Sequence, residues 1–238
     1  MEENVTMKGQ VERLLDRIRD KFVETPEGNR LLIAIAGIPG SGKTTLAQIL
    51  AHKINTDKAR FPPITPSEDV AKVLPMDGFH LTRAQLNAMP NPEHAHARRG
   101  AEFTFDGKGF YELVKELRKP VTASTTVVWA PDFDHAVKNP VQKIIKVPRE
   151  ARIIIFEGNY LLLDQDPWSD VARLMDLKFF VRVTSHLATE RLVNRHIAAG
   201  IARTKEEAVK RVEENDLVNG KMIEDLLKEE EVDEFVRT

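Results

Sequence analysis

The sequence predicts an α/β chain in which a parallel sheet is sandwiched between two layers of helices. Three observations carry that expectation. Continuous apolar runs recur at 31–36, 152–156 and 177–183, the pattern of strands buried on both faces. Segments with helical periodicity lie between them, as in βαβ units. A glycine-rich turn joins the first run to the helix that follows it.

The chain has 238 residues, 42% of them hydrophobic, enough for one well-buried domain. Lysine plus arginine (35) nearly balance aspartate plus glutamate (37), for a formal charge of −2. No global field recruits nucleic acid or an anionic membrane, so neither is an expected partner and any anion site must be built locally. Cysteine is absent, which excludes disulfide scaffolds, thiolate metal sites and cysteine nucleophiles. No apolar run approaches the ~18–20 residues of a membrane span. The start, Met1-Glu2-Glu3-Asn4, lacks the basic and apolar segments of a secretion signal, and a cytoplasmic protein is expected. A homodimer is left open.

In chain order, Val11, Leu14, Leu15, Ile18 and Phe22 place a helix over 11–22, broken at Thr25-Pro26-Glu27-Gly28-Asn29. Packing on the domain is its plainer role, a partner contact the other. The strand at 31–36 ends at Gly37, and a helix is expected over 43–53. A second strand, 71–76, runs into Asp77-Gly78. A loop rich in proline, histidine and arginine spans 89–106, and a short helix over 110–117 stops before Pro120. Strands at 126–129 and 142–147 frame a loop, 130–140. The run 152–156 ends at Glu157-Gly158. After 177–183 come helices at 186–199 and 204–214, then an acidic helical tail. The excursions 53–70 and 89–106 read as insertions between core elements. The expected organisation is a single domain, 1–238, with a helical extension over 1–28, a core over 29–220 and an acidic tail over 221–238.

Residues 37–44, Gly-Ile-Pro-Gly-Ser-Gly-Lys-Thr, fit G-x-x-x-x-G-K-[ST] at every fixed position, between an expected strand and an expected helix. This is a P-loop, and the fold class becomes a three-layer P-loop NTPase fold with a central parallel sheet, lid helices and a substrate-side insertion. Its glycines let backbone N–H groups wrap a polyphosphate, and the helix N-terminus adds unpaired donors and partial positive charge. Gly37, Gly40, Ser41, Gly42, Lys43, Thr44 and Thr45 are the candidate triphosphate ligands. Lys43 would reach the β- and γ-phosphates, and Thr44 would offer its hydroxyl to Mg²⁺.

The chain has no Asn/Thr-Lys-x-Asp string for guanine. It is short and acidic for a helicase, and the strand 152–156 ends in a lone Glu157 where motor ATPases carry Asp-Glu. Phosphoryl transfer to a small acceptor remains. Asp77, at the C-terminal end of a strand, could orient and deprotonate an acceptor hydroxyl; an Asp-Gly turn is the plainer account. Glu157 could hold a water of the Mg²⁺ shell. Arg191 and Arg195 share one helix face and with Arg203 could form a lid that neutralises charge on the transferred phosphate; a solvated helix face is the alternative.

Together these residues resemble the phosphoribulokinase, uridine kinase and bacterial-type pantothenate kinase family of P-loop small-molecule kinases, over roughly 31–220. Asp77-Gly78-Phe79-His80 resembles the family's Asp-Gly-Phe segment, whose aspartate is the catalytic base. Arg98-Arg99-Gly100 with Phe103-Thr104-Phe105-Asp106 is similar to a pantothenate kinase stretch. Pro131-Asp132-Phe133-Asp134-His135 occupies the place of the substrate loop, with His135 where the family often has arginine. Phe156-Glu157-Gly158-Asn159-Tyr160 resembles the segment near the metal, and Arg191 to His196 the arginine-bearing lid. Asn215-Asp216 with Asn219 resembles a branch that includes fructose-operon and YggC-like kinases.

The resemblance implies a kinase that uses ATP and Mg²⁺ to phosphorylate a hydroxyl of a small metabolite. Asp77, Lys43, Arg191 and Arg195 would be catalytic, and Thr44 and Glu157 would hold the metal. His80, Arg98, Arg99, Asp132 and Tyr160 would meet the acceptor with Asp77. A uridine-like nucleoside leads, with pantothenate, a sugar or a nucleoside monophosphate as alternatives. A regulatory NTP-binding protein without an acceptor is the reading from another class. Arg98 and Arg99 suit an anionic acceptor group or a solvated loop. Trp129 and Tyr160 could wall a ring-bearing substrate or simply pack in the core. The pair His94 and His96 lacks the further ligands that a metal site requires.

Overall fold

In the computed structural model, which describes residues 6–65, 67–134 and 136–238, alternation along the buried strands assigns the layers. The strands are β1 (Leu31–Gly37), β2 (Ala71–Pro75), β3 (Val128–Asp134), β4 (Asn139–Val147), β5 (Ile153–Gly158), β6 (Leu177–Arg182) and β7 (Glu234–Arg237). Five form one parallel sheet in the order β2-β5-β1-β6-β7. Every residue of β1 and β5 is buried, as central strands between two helical layers must be.

Successive side chains point to opposite faces. Leu31, Ile33, Ile35, Ile153 and Ile155 therefore face helices α1 (Met7–Glu24) and α2 (Lys43–Thr56), meeting Leu14, Ile18, Leu46 and Leu50. Between β2 and β3 come the short helices α3 (Arg83–Asn87) and α4 (Pro92–Ala97), then α5 (Gly107–Arg118). Leu32, Ala34, Ile154, Phe156 and Phe180 face α5 and α6 (Trp168–Arg173), where Phe110, Val114, Trp168 and Val171 close the second core. After β6 the chain continues through α7 (Ser185–Ala198), α8 (Lys205–Arg211), a π-helical turn (Val212–Asp216) and α9 (Leu217–Asp225).

Three expectations change. Residues 130–134, expected in the loop 130–140, lie in β3, and the strands expected on either side of that loop are β3 and β4, paired antiparallel as a hairpin apart from the main sheet. His135 falls outside the described residues. The expected loop 89–106 contains α4 and a 3₁₀ turn at Glu102–Thr104, for Asn91 caps α4 through His94 N and Pro92 starts it. The acidic tail is α-helical only to Asp225, passes through a 3₁₀ turn at Glu229–Glu231 and ends as β7.

Local composition hid β7 because its stability is non-local. Its Val236 is fully buried, and Gln10 of α1 serves its open edge. The Gln10 amide donates to the Arg237 carbonyl at 2.9 Å and accepts from the Arg237 N–H at 2.8 Å, as a neighbouring strand would. Arg13 and Arg17 add ion pairs to Glu234 at 3.2 and 3.4 Å. Gln10→Ala leaves both backbone groups of Arg237 without that partner and should lower stability by about 2 kcal/mol, measured by urea unfolding.

Candidate active site

Sheet order sets the site. The carboxyl ends of β2, β5 and β1 stand side by side, with Pro75 and Ile35 both in register with Glu157. Asp77 follows β2 in a 3₁₀ turn (Met76–Phe79), Glu157 is the penultimate residue of β5, and the P-loop follows β1. Ligand sites of open parallel sheets lie at this rim.

Gly40 has φ +79°, and a Cβ there would stand 2.9 Å from the Ala188 carbonyl of α7, so the close approach of loop and helix requires glycine. Gly42, in the left-handed region, caps α2. Gly78 has a different constraint: a Cβ would lie 2.3 Å from the Pro131 carbonyl, so the Asp77 turn packs flush against the hairpin. Ser41 is fully buried, its hydroxyl without a partner.

The half-buried Lys43 ammonium donates to the Ile38 carbonyl at 3.4 Å. Burial pulls its pKa down, opposed by the charges of Glu157 and Asp77. The Thr44 hydroxyl donates to Glu157 at 3.1 Å. Burial pushes the Glu157 carboxyl up from the ordinary glutamate value, against the Lys43 charge. Opposite charges thus offset part of each other's burial at this rim.

Arg191 of α7 donates to the Gly40 carbonyl at 3.2 Å and to the Thr238 hydroxyl at 3.1 Å, while that hydroxyl donates to the Ser41 carbonyl at 3.0 Å. Strand β7 therefore delivers a brace between the P-loop and α7. Two recesses meet here. One, of about 190 Å³, is lined by Gly40, Gly42, Lys43, Thr44, Thr45, Arg191 and Arg195. The other, of about 250 Å³, is lined by Lys43, Thr44, Asp77, Glu157, His80, Arg99 and Arg195, with aromatic, asparagine and further charged neighbours. Lys43, Thr44 and Arg195 belong to both.

The larger cleft has a wall of packed rings, Phe105 and Phe133, each against His80 at centroid distances of 4.0 and 4.7 Å. Its opposite side comes from the helices after α7. His196 is buried, its Nε2 lying 2.8 Å from Asp216, and Asn215 donates to the Arg99 carbonyl at 3.0 Å. The π-helical turn, a form often found at functional sites, presents Asn215 and Asp216, and one turn on Asn219 reaches the same cleft.

Other sequence candidates stand elsewhere. Arg98 turns from the cleft lining to the Asn219 side-chain oxygen, at 2.7 Å. Tyr160 is fully buried, its hydroxyl donating to the Gly100 carbonyl at 2.7 Å and its pKa raised by burial. The Asp132 carboxylate accepts from the Phe133 N–H at 2.8 Å. Trp129 is exposed on β3, so Phe105 and Phe133 form the aromatic wall expected of Trp129 and Tyr160. On α4, His94 stacks on Phe103 and His96 meets Asn87 at 2.6 Å. Arg203 donates its backbone N–H to Glu207. Sequence reasoning assigned no role to Arg211, and treated Phe105, Phe133, His196 and Asn215 only as parts of motifs.

A model of the phosphoribulokinase/uridine kinase family matches residues 32–213. A Schizosaccharomyces pombe protein provisionally named a uridine kinase is 44% identical over 210 residues, covering 88% of this chain and 85% of that one. A crystal structure from Silicibacter sp. TM1040, provisionally described as a fructose transport system kinase, superposes with a TM-score of 0.74 at 32% identity, over 93% of this chain and 98% of that one. Saccharomyces cerevisiae YFH7 shares the fold with a TM-score of 0.80 at 24% identity, over 96% and 98% of the chains.

Gly40→Ala imposes a left-handed backbone on alanine and a contact with α7. It should weaken binding of a non-hydrolysable ATP analogue by about tenfold, from about 1–2 kcal/mol of strain, measured by calorimetry.

Proposed function

The chain belongs to the phosphoribulokinase/uridine kinase family of P-loop kinases and is a phosphotransferase, and on that premise we propose that it transfers the γ-phosphate of ATP to a hydroxyl of a small metabolite held in the larger cleft. The observation that carries this is the sharing of Lys43, Thr44 and Arg195 by both recesses. A phosphoryl group bound at their junction is in reach of a donor on one side and an acceptor on the other.

The P-loop amides and the α2 N-terminus hold the β- and γ-phosphates, with Lys43 against their negative charge. Arg191, tied to the Gly40 carbonyl, and Arg195, one turn on, balance charge spreading over the transferred group. Asp77 orients the acceptor hydroxyl and takes its proton as the new O–P bond forms and the bond to the β-phosphate oxygen breaks, releasing ADP. His80, whose Nδ1 lies 2.9 Å from the Asp77 carbonyl oxygen, steadies that turn. The convergence of a threonine hydroxyl and a buried carboxylate fits Mg²⁺, which takes few protein ligands besides water and phosphate. Thr44 and Glu157 would hold it, directly or through water. The ion would supply charge neutralisation at the phosphates.

Among acceptors, the ring wall of Phe105 and Phe133 suits a flat or apolar portion, as a uridine-like nucleoside has. The name of the S. pombe relative points the same way. Pantothenate or a sugar would present the hydroxyl that Asp77 needs without a ring for that wall.

Two variants test these roles. Asp77→Asn should keep affinity for the ATP analogue while acceptor phosphorylation falls by about 10²–10⁴-fold, followed as ADP release; undiminished turnover removes Asp77 from the chemistry. Glu157→Gln should raise the Mg²⁺ concentration for half-maximal rate more than about tenfold, the usual scale for losing a charged metal contact, in a magnesium titration.

A further inference from the structure

Within that reading of the larger cleft as the acceptor site, we infer that the acceptor carries an oxyanion, a carboxylate or a phosphate ester, and that Arg99 and Arg211 bind it. Both arginines line the larger cleft and neither lines the P-loop recess, so they are not part of the triphosphate cradle. Among the described residues no carboxylate stands within 4.0 Å of either guanidinium. Arg118 and Arg13 each have one, Asp176 at 2.9 Å and Glu234 at 3.2 Å; Arg30 and Arg152 are held by backbone carbonyls as Arg99 and Arg211 are, but neither of them lines the cleft.

The contacts they do make are neutral. Arg99 donates to the Leu81 carbonyl at 3.1 Å and lies 5.3 Å from the Phe133 ring centre. Arg211 donates to the Arg99 carbonyl at 3.4 Å. These contacts orient the two side chains and bring them together, and they leave the charge unneutralised. The Nε of each is buried and without a partner. Burial and the nearby charge of Arg83 both pull the Arg99 pKa down, as expected of a cation lacking its counterion. The Asp216 carboxylate is engaged by His196, and Asp77 belongs to the hydroxyl.

Two preoriented guanidiniums, unpaired and partly desolvated, are costly in an empty cleft and strongly favourable once an oxyanion lies across them. A neutral acceptor would leave both charges unanswered. The cleft then reads an acceptor by two features, a hydroxyl at Asp77 and an anionic group at Arg99 and Arg211, and a neutral nucleoside loses its lead.

The test uses matched acceptors: pantothenate against pantothenol, glycerate against glycerol, and a pentose 5-phosphate against the free pentose. ADP release should favour the charged member of at least one pair by about 100-fold in kcat/KM, the scale of a charge-assisted pair. The preference should collapse in Arg99→Met and in Arg211→Met and partly return in Arg99→Lys, each variant first checked for an unchanged Tm. The preferred pair tells carboxylate from phosphate ester. Independently, wild-type protein saturated with a non-hydrolysable ATP analogue should bind orthophosphate or acetate at millimolar concentrations, and either methionine variant should weaken this about tenfold. Asp77-dependent turnover of neutral acceptors, with charged ones no better, overturns the inference and leaves the kinase reading standing. Absence of anion binding to the saturated wild-type protein overturns it also. Charged acceptors turned over equally well by Asp77→Asn would sink the catalytic reading and spare the anion site.

Discussion

Opposite charge gathered at one rim of the sheet is the constraint on which the rest of the structure depends. Lys43, at the start of α2 beyond the β1 loop, and Glu157, in β5, stand where burial disfavours the charged form of each, and the charge of each is the main influence opposing that burial on the other. Their mutual influence lasts only while the separation of the two charges is held. The sheet supplies that hold: β5 lies between β1 and β2, so Glu157 is fixed from both sides by the registers that carry the P-loop and Asp77. Both hydrophobic layers serve this rim by keeping three strand ends level.

The parts of the fold legible in the sequence were those decided locally. The runs 31–36 and 152–156 are apolar because both faces are covered, and the P-loop motif states its own geometry through glycines that no other residue replaces. Asp77 and Glu157 were legible because they end such runs. What could not be read was decided by distant partners. The run Glu234-Phe235-Val236-Arg237 is too short and too close to acidic residues to announce a strand, and it depends on a glutamine more than two hundred residues away. The two strands around the loop 130–140 were legible, but not the sheet they belong to, because local alternation says nothing about which sheet a strand joins.

The larger cleft illustrates the same limit at the level of side chains. Its walls come from the Asp77 turn, the hairpin, the segment before α5 and the helices after β6, so no single stretch of sequence announces it. Tyr160 looked like a wall residue at a strand end, yet its ring packs on Phe105 and Trp168 and its hydroxyl serves Gly100. It supports the wall from behind. Arg98 and Arg99, indistinguishable as neighbours in sequence, part ways: one ties the α4 end to Asn219 and the other reaches the cleft.

The π-helical turn at Val212–Asp216 is an expansion of the helix at the point where Asn215 and Asp216 meet the cleft. A π turn carries one residue more than an α turn. Removing one of its five residues would let the segment relax into a regular α turn with the helix beyond nearly in phase, because the expansion itself absorbs the extra residue. Asn219 and the apolar side of α9 would keep their direction, and the change would fall on the turn that carries Asn215 and Asp216 to the cleft. One surplus residue thus separates a plain helix from one that bulges toward the ligand.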